Sequence, residues 1–146
     1  MLIRKMTEED LSEVIAIEQE TFSAPWSLED FRKSIANAEN YYLVAIIEKK
    51  VVGYCGYWGI AGEGDIYNVA VKKEYRRQHI GMQILKELLE IARSRGITAF
   101  TLEVRSSNEA AIRLYELMGF ERAGLRKDFY TRPKEDAVIM WLNPIQ

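Results

Sequence analysis

Residues 68–81 read NVAVKKEYRRQHIG, which joins an apolar run to a basic loop and to the start of a helical pattern. From Ile80 onward, apolar residues recur at helical spacing and predict an amphipathic helix that ends near Gly96. The first turn of a helix offers unpaired N–H groups, and Arg76 and Arg77 add positive charge beside it. The segment therefore predicts a phosphate or pyrophosphate site, and a solvated basic helix start remains the alternative.

Strand and helix patterns alternate along the rest of the chain. Before this segment they predict a strand, two helices and an antiparallel meander, and after the long helix they predict a strand, a helix and two late strands. The predicted strands are Leu2–Met6, Tyr41–Ile47, Val51–Ile60, Ile66–Val71, Thr98–Val104, Phe120–Leu125 and Ala137–Leu142, and the shorter helices start near Thr7, Ser27 and Asn108. This order predicts an α/β (α+β) fold with helices around a mixed sheet.

Length and composition exclude several classes of protein. The chain has 146 residues, enough for one hydrophobic core, and we expect residues 1–146 to form a single domain. The chain has one cysteine, Cys55, and one histidine, His79. A single cysteine cannot form an intramolecular disulfide, and the two residues are too few for a zinc site built from cysteine and histidine. We therefore expect no metal and a cytoplasmic location. The formal charge is -2 and the chain has no basic block, so we do not expect nucleic acid as a partner. No apolar run approaches the ~20 residues of a membrane span, so we do not expect a membrane as a partner either.

Several segments together resemble one known family. The pattern Arg76-x-x-His79-x-Gly81 resembles the acetyl-CoA pyrophosphate loop, Arg/Gln-x-x-Gly-x-Gly/Ala, of the Gcn5-related N-acetyltransferases (GNAT). The segments similar to the ribosomal-protein alanine N-acetyltransferase (RimI) subgroup of that family are FSAPWS at 22–27, LEVR at 102–105, SN-x-AA at 107–111, LY at 114–115 and GF at 119–120. The resemblance implies the GNAT fold, with about four helices on a mostly antiparallel sheet of about six or seven strands. It also implies acetyl-CoA as co-substrate.

The resemblance implies a set of cofactor-binding residues. The backbone of Val69, Ala70 and Val71 is expected to pair with the pantetheine arm. The residues that match the pyrophosphate loop are Arg76, Arg77, Gln78, His79, Ile80, Gly81 and Met82, and Asn108 matches a side chain that contacts the cofactor. Asn108 equally suits a helix cap.

His79 stands where the family has glycine. Histidine tolerates the left-handed region better than branched residues do, so we expect a strained loop that weakens cofactor binding. An exposed imidazole without a function is the alternative.

Two residues match the family's catalytic pair. Acetyl transfer needs a neutral amine, and an α-amino group with a pKa near 8 is mostly protonated at pH 7. The family's general base matches Glu103, which otherwise suits the solvent face of its strand, and a raised pKa or a water relay is expected. The acid that protonates the departing thiolate matches Tyr115, which otherwise suits a core aromatic with a solvated hydroxyl.

The resemblance also implies a groove for the incoming peptide. Pro25, Trp26 and Tyr130 match its lining, and Trp26 equally suits a hydrophobic staple at the start of the second helix. Acidic side chains on the first two helices, Glu18, Glu20 and Asp30, could attract a basic peptide, although such residues are usually just solvated.

The resemblance implies direct acetyl transfer, in a ternary complex, to the N-terminal alanine of a small-subunit ribosomal protein. Transfer to a small amine or a lysine side chain, and a non-catalytic acyl-CoA-binding module, remain alternatives.

Overall fold

The computed structural model describes residues 1–67 and 69–143. Asn68, and with it part of the predicted strand Ile66–Val71, and residues 144–146 lie outside the described residues. The α-helices of the described part are α1 (Leu11–Thr21), α2 (Leu28–Ala36), α3 (Ile80–Ser94) and α4 (Glu109–Leu117). None of them is long and apolar enough to cross a bilayer.

One sheet contains all the strands of the described residues. They are β1 (Leu2–Lys5), β2 (Asn40–Ile47), β3 (Lys50–Ile60), β4 (Glu63–Ile66), β5 (Ala70–Val71), β6 (Ala99–Arg105), β7 (Glu121–Thr131) and β8 (Lys134–Leu142). Their order is β1-β2-β3-β4-β6-β8-β7, and β5 pairs with β3. The β4–β6 pair is parallel and the other pairs are antiparallel. The predicted α/β class with a mixed, mostly antiparallel sheet is confirmed.

Helices cover both faces of the sheet. Leu85 of α3 and Tyr115 of α4 pack in one core with Leu102 of β6. Leu11 of α1 and Phe31 of α2 pack in a second core on the other face. Because successive strand residues point to opposite faces, Glu103 points toward the face that carries α1 and α2.

The link between α1 and α2 is fixed by local interactions that the sequence encodes. The Asp30 backbone N–H donates to Ser27 Oγ at 3.1 Å, and the Ser27 N–H donates to Asp30 Oδ2 at 3.0 Å, which together form a capping box. Trp26, just before this cap, packs on Phe31 with ring centroids 5.2 Å apart. This contact is the hydrophobic staple that the sequence offered as one interpretation of Trp26.

Two sequence predictions about strands are wrong. The predicted strand Ile66–Val71 is divided: Ile66 is the last residue of β4, and β5 starts only at Ala70. The last two strands form one long hairpin rather than short segments. Pairing of β7 with β8 continues to Thr131, beyond an irregularity between Arg126 and Tyr130 that contains Asp128, at φ 55°.

A gap opens in the middle of the sheet. The β4–β6 pairing ends at Asp65 and Thr101. Beyond that point, within the described residues, β5 pairs with β3 alone and β6 with β8 alone. Backbone groups on the facing edges of β5 and β6 therefore need other partners.

Candidate active site

An aromatic and acidic cavity lies beside this gap. It has a volume of about 260 Å³. Its lining consists of Glu18, Trp26, Phe31, Tyr42, Tyr54, Asp65, Ile66, Tyr67, Glu103, Phe129 and Tyr130. The cavity thus brings together three predicted site residues, Trp26, Glu103 and Tyr130. Pro25 is exposed in the preceding loop, outside this lining.

Glu18 anchors the wall formed by α1 and α2. Its side chain is buried, at 7% exposure. The Trp26 backbone N–H donates to Glu18 Oε2 at 3.0 Å, and the Tyr54 hydroxyl donates to Oε1. The carboxylate is therefore a structural acceptor as well as a charge in the cavity wall, and the expectation of ordinary solvation is wrong for this residue. Burial, with the charge of Glu18, raises the pKa of Tyr54.

The other two acidic candidates have local contacts of their own. Glu20 accepts the backbone N–H of Lys73 at 2.8 Å, which ties α1 to the loop after β5. Asp30 belongs to the capping box of α2. Neither side chain lines the cavity.

Two stacked tyrosines lie against Trp26 and Phe31 in the cavity lining. Tyr42 and Tyr67 are nearly parallel, with ring centroids 5.3 Å apart and an interplanar angle of 9°. A Cβ on Gly56 would lie 2.3 Å from Tyr42 Cδ1, so only glycine lets the Tyr42 ring lie flat on β3. The Tyr67 hydroxyl donates to Asn40 Oδ1 at 2.9 Å, which fixes its orientation.

Glu103 is half-buried beside a second carboxylate. Burial raises the pKa of Glu103, the charge of Asp65 raises it further, and Arg126 opposes both effects. This direction agrees with the sequence expectation for a general base. Burial also raises the pKa of Asp65, against a hydrogen bond from Thr101 and the charge of Arg126.

Arg105 holds Tyr130 in the cavity wall. Its guanidinium lies 4.2 Å from the Tyr130 ring centroid, consistent with a cation–π contact. It donates to the carbonyl oxygens of Pro133 and Arg132, both at 2.9 Å, and to Ser23 Oγ at 3.2 Å. One side chain thus joins β6, the β7–β8 hairpin and the α1–α2 link.

Glu135 extends this connection toward α4. It accepts from Arg105 Nη1 at 3.1 Å and from the backbone N–H of Ser107 at 2.7 Å. Hydrogen bonds from Ser107, then Arg105 and Ser106, lower the pKa of Glu135 to about 2. The carboxylate is therefore ionised at neutral pH and joins the hairpin to the residues that precede α4.

Tyr115 is a core residue whose hydroxyl faces the edge of the gap. The residue is 3% exposed, and its ring lies 5.8 Å from that of Phe120. Burial raises its pKa, while a hydrogen bond from the backbone N–H of Val69, just before β5, acts in the opposite direction. The phenol is consequently protonated at neutral pH, as a proton donor must be.

Glu103 and Tyr115 extend from opposite faces of the sheet. Tyr130 lies beside Glu103 in the cavity lining. Burial raises the pKa of Tyr130, the charge of Arg105 opposes this rise, and the charge of Glu103 adds to it.

The basic loop precedes an uncapped helix start. The backbone of His79 is left-handed, at φ 60° and ψ 19°, and so is that of Arg77, at φ 65°. The first turn of α3, from Ile80 to Met82, contains no acidic residue and receives no side-chain cap from His79. Its N–H groups are thus suited to an anion. Gly81 lies against the gap, since a Cβ there would be 3.5 Å from Val69 Cγ1.

Two other cofactor candidates have partners within the protein. Asn108 is the N-cap of α4, and its Oδ1 accepts the Ala111 N–H at 3.1 Å. The cap interpretation is therefore confirmed. Arg76 Nε donates to the carbonyl of Val71 at 3.0 Å, which connects the loop to β5.

Comparison with known proteins identifies the family. The model of the acetyltransferase (GNAT) family matches residues 11–120. This chain belongs to the GNAT acetyltransferase family. The ribosomal protein bS18-alanine N-acetyltransferase of Escherichia coli K12 is 34% identical over 143 residues, covering 96% of this chain and 95% of the relative. N-alpha-acetyltransferase RimI of Mycobacterium tuberculosis is 33% identical over 144 residues, covering 94% of this chain and 89% of that protein.

A solved structure supports the same assignment. The crystal structure of the ribosomal-protein-S18-alanine N-acetyltransferase from Escherichia coli has a TM-score of 0.90 and 32% identity, covering 99% of this chain and 95% of its own. The expected GNAT membership and N-acetyltransferase activity are confirmed, and enzymes of this family use acetyl-CoA as co-substrate.

Sequence reasoning missed several residues of this GNAT site. Asp65, Tyr67 and Phe129 line the cavity, and Arg105 holds Tyr130, but none of them was assigned a role. For Asp65 a signal was present, because it is a polar residue between Gly64 and Ile66 in a strand.

The left-handed backbone of His79 gives a testable expectation for this acetyltransferase. A left-handed conformation costs a non-glycine residue about 1–2 kcal/mol, and the greater freedom of glycine in the unfolded chain offsets part of the gain. We expect His79→Gly to raise the free energy of unfolding by up to about 1 kcal/mol in denaturant titrations. We also expect a lower dissociation constant for CoA by calorimetry.

Gln78→Gly is the matched control, since Gln78 is not among the residues with positive φ. It should lose stability instead. An unchanged CoA affinity in His79→Gly would show that the loop conformation costs nothing in binding.

Proposed function

We propose that this enzyme transfers acetyl from acetyl-CoA to the N-terminal alanine of a ribosomal protein. The single observation that carries the proposal is the cavity, which has aromatic walls and ends at Glu103 beside the gap in the sheet. The bS18-alanine acetyltransferase named above supports the choice of substrate through its similarity over almost the whole chain. A cytoplasmic location follows from a ribosomal-protein substrate and stays a prediction, as does a single domain over residues 1–146.

Glu103 and Tyr115 are proposed as the catalytic pair. Glu103 accepts a proton from the α-amine, whose nitrogen then attacks the carbonyl carbon of the thioester. The new C–N bond forms, the C–S bond breaks, and Tyr115 donates its proton to the departing sulfur. The second proton, which the nitrogen loses as it becomes an amide, returns to the Tyr115 phenolate, and Glu103 releases the first proton to solvent. The half-buried position of Glu103 supports its role, because burial raises its pKa toward the working pH.

The cofactor residues are proposed along the gap and at the start of α3. Acetyl-CoA supplies the activated acetyl group. The backbone of Val69, Ala70 and Val71 borders the gap and offers a strand edge for the pantetheine arm. The N–H groups that follow His79 are suited to the pyrophosphate, and Asn108 keeps its amide Nδ2 as a donor while Oδ1 caps α4. The loop residues proposed with them are Arg76, Arg77, Gln78, His79, Ile80, Gly81 and Met82.

The peptide is proposed to enter between the α1–α2 link and the β7–β8 hairpin. Trp26 and Tyr130 form the two sides of this entrance, and Pro25 borders it. The aromatic side chains on both sides of the entrance suit a short, extended N-terminus with a small first side chain.

A peptide panel tests the proposed function. Release of free CoA is followed with a peptide that begins with alanine, with its serine variant, and with an N-terminally blocked copy that contains a lysine. We expect the first two to be acetylated at the α-amine, as mass spectrometry of fragments would show, and the blocked peptide to react far more slowly.

Other outcomes favour the alternatives. Faster reaction of the blocked peptide would indicate a lysine acetyltransferase. Binding without transfer to any amine would indicate a non-catalytic module. Binding itself is measured by thermal unfolding, since acetyl-CoA at 100 times its dissociation constant adds about 2.7 kcal/mol to the stability.

A further inference from the structure

Asp65 and Glu103 occupy neighbouring positions on adjacent strands. Asp65 of β4 is the ladder partner of Thr101 of β6, and Glu103 follows Thr101 by two residues, on the same face. The Thr101 hydroxyl is 3.4 Å from Asp65 Oδ1, which keeps the carboxylate over β6. Both side chains line the same cavity. They form a diagonal carboxylate pair at the end of the groove where the proposed reaction takes place.

The surroundings of the pair leave the repulsion between its charges only partly compensated. Arg126 of β7 is the cation whose charge acts on both carboxylates. The other titratable side chains that border them in the cavity are Glu18 of α1, Tyr42 of β2, Tyr54 of β3, Tyr67 before β5 and Tyr130 of β7. Arg105, two residues after Glu103 on the same face of β6, is paired with Glu135. Arg126 thus opposes the charges of the pair, and Glu18 of α1 adds a third carboxylate to the cavity.

We propose that Asp65 is a positioning residue for the reaction, whose charge makes Glu103 a stronger base toward the substrate amine. This inference rests on the proposed function, in which Glu103 is the base. Two carboxylates in close proximity resist simultaneous ionisation, so the pair holds a proton more tightly than Glu103 alone would. A base is most effective when its pKa lies near the working pH. Arg126 acts in the opposite sense, so the two residues together set the basicity of Glu103.

The test is the pH dependence of kcat/KM with an alanine peptide and saturating acetyl-CoA. We expect the acid limb of Asp65→Asn to move to lower pH and its plateau to fall by roughly 3- to 10-fold, because Glu103 becomes a weaker base. We expect the acid limb of Arg126→Gln to move to higher pH. Asp65→Glu, which restores the charge, should return the limb toward its wild-type position.

Matched controls separate electrostatics from packing. The controls are Glu63→Gln, on the same strand as Asp65, and Arg122→Gln, on the same strand as Arg126. Each removes a charge outside the cavity lining and should leave the acid limb of the pH profile in place. CoA affinity should be unchanged in all five variants. A limb that stays fixed in Asp65→Asn, or a change confined to the peptide KM, would overturn the proposal.

Glu103→Gln distinguishes this failure from failure of the proposed function. If the acid limb disappears in Glu103→Gln but is unmoved in Asp65→Asn, Glu103 is the base and the role of Asp65 is refuted. If Glu103→Gln keeps both the limb and the rate, the proposed catalytic role of Glu103 is refuted, and the role of Asp65 with it.

Discussion

Glu103→Gln is expected to lower the rate of acetyl transfer by about 10²- to 10⁴-fold at neutral pH, the usual contribution of a general base. Glutamine has nearly the same shape as glutamate but cannot accept the proton of the ammonium group. The direction of the pH dependence follows from the raised pKa of Glu103. The wild-type rate should rise with pH as Glu103 loses its proton, and in the variant this acid limb should be replaced by a rise only at the higher pH where the amine itself deprotonates.

The measurement is a single-turnover rate with bound acetyl-CoA and an excess of alanine peptide, taken across the pH range. Glu63→Gln, an exposed carboxylate change on β4, should keep the wild-type rate and profile. Partial recovery of the Glu103→Gln rate at high pH, where the free amine no longer needs a base, would further support the role. A variant as fast as wild type at neutral pH would exclude Glu103 from proton transfer.

Tyr115→Phe is expected to reduce turnover by a similar factor, about 10²- to 10⁴-fold, with CoA binding close to normal. Without the hydroxyl, the thiolate has to leave unprotonated. The substitution also leaves the Val69 N–H without its acceptor, so a loss of about 1 kcal/mol of stability should accompany it. The two effects are separated by measuring kcat, the dissociation constant of CoA and thermal unfolding on the same preparations.

Tyr41→Phe provides the control for loss of a phenolic hydroxyl. Tyr41 stacks on Tyr57 with ring centroids 6.1 Å apart, and neither residue lines the cavity. Its turnover should match that of the wild type. A Tyr115→Phe enzyme that loses stability but keeps its turnover would assign Tyr115 to the core alone.

Local signals in the sequence were sufficient for much of the fold. The apolar spacing from Ile80 predicted α3, and the Ser27–Asp30 capping box starts α2 where the sequence indicated. The sequence also predicted that His79 could adopt the left-handed backbone conformation, and its φ is 60°. These features depend on residues a few positions apart, so the necessary information lies within each segment.

Other features could not be predicted from the sequence because they depend on residues far apart along the chain. Strand Ile66–Val71 seemed continuous from its β-rich composition, but its two ends pair with β3 in registers that differ by one residue, Ile66 with Tyr57 and Val71 with Gly53. Glu18 was expected at the surface, and it is buried by Tyr54, 36 residues away. Arg105 reaches Ser23 over 82 residues. No periodicity within a segment reports such contacts.

The sequence by itself determined the helices, most strands, the left-handed loop and, through its motifs, the family and the candidates Glu103 and Tyr115. Only the tertiary structure decided that Asp65 stands beside Glu103, that Arg105 fixes Tyr130, and that the gap between β5 and β6 lies between the two catalytic candidates. The physical reason is that charge and burial act through space. Propensity and capping are set by neighbours in the chain, whereas the basicity of a carboxylate is set by whichever side chains the folded sheet brings around it.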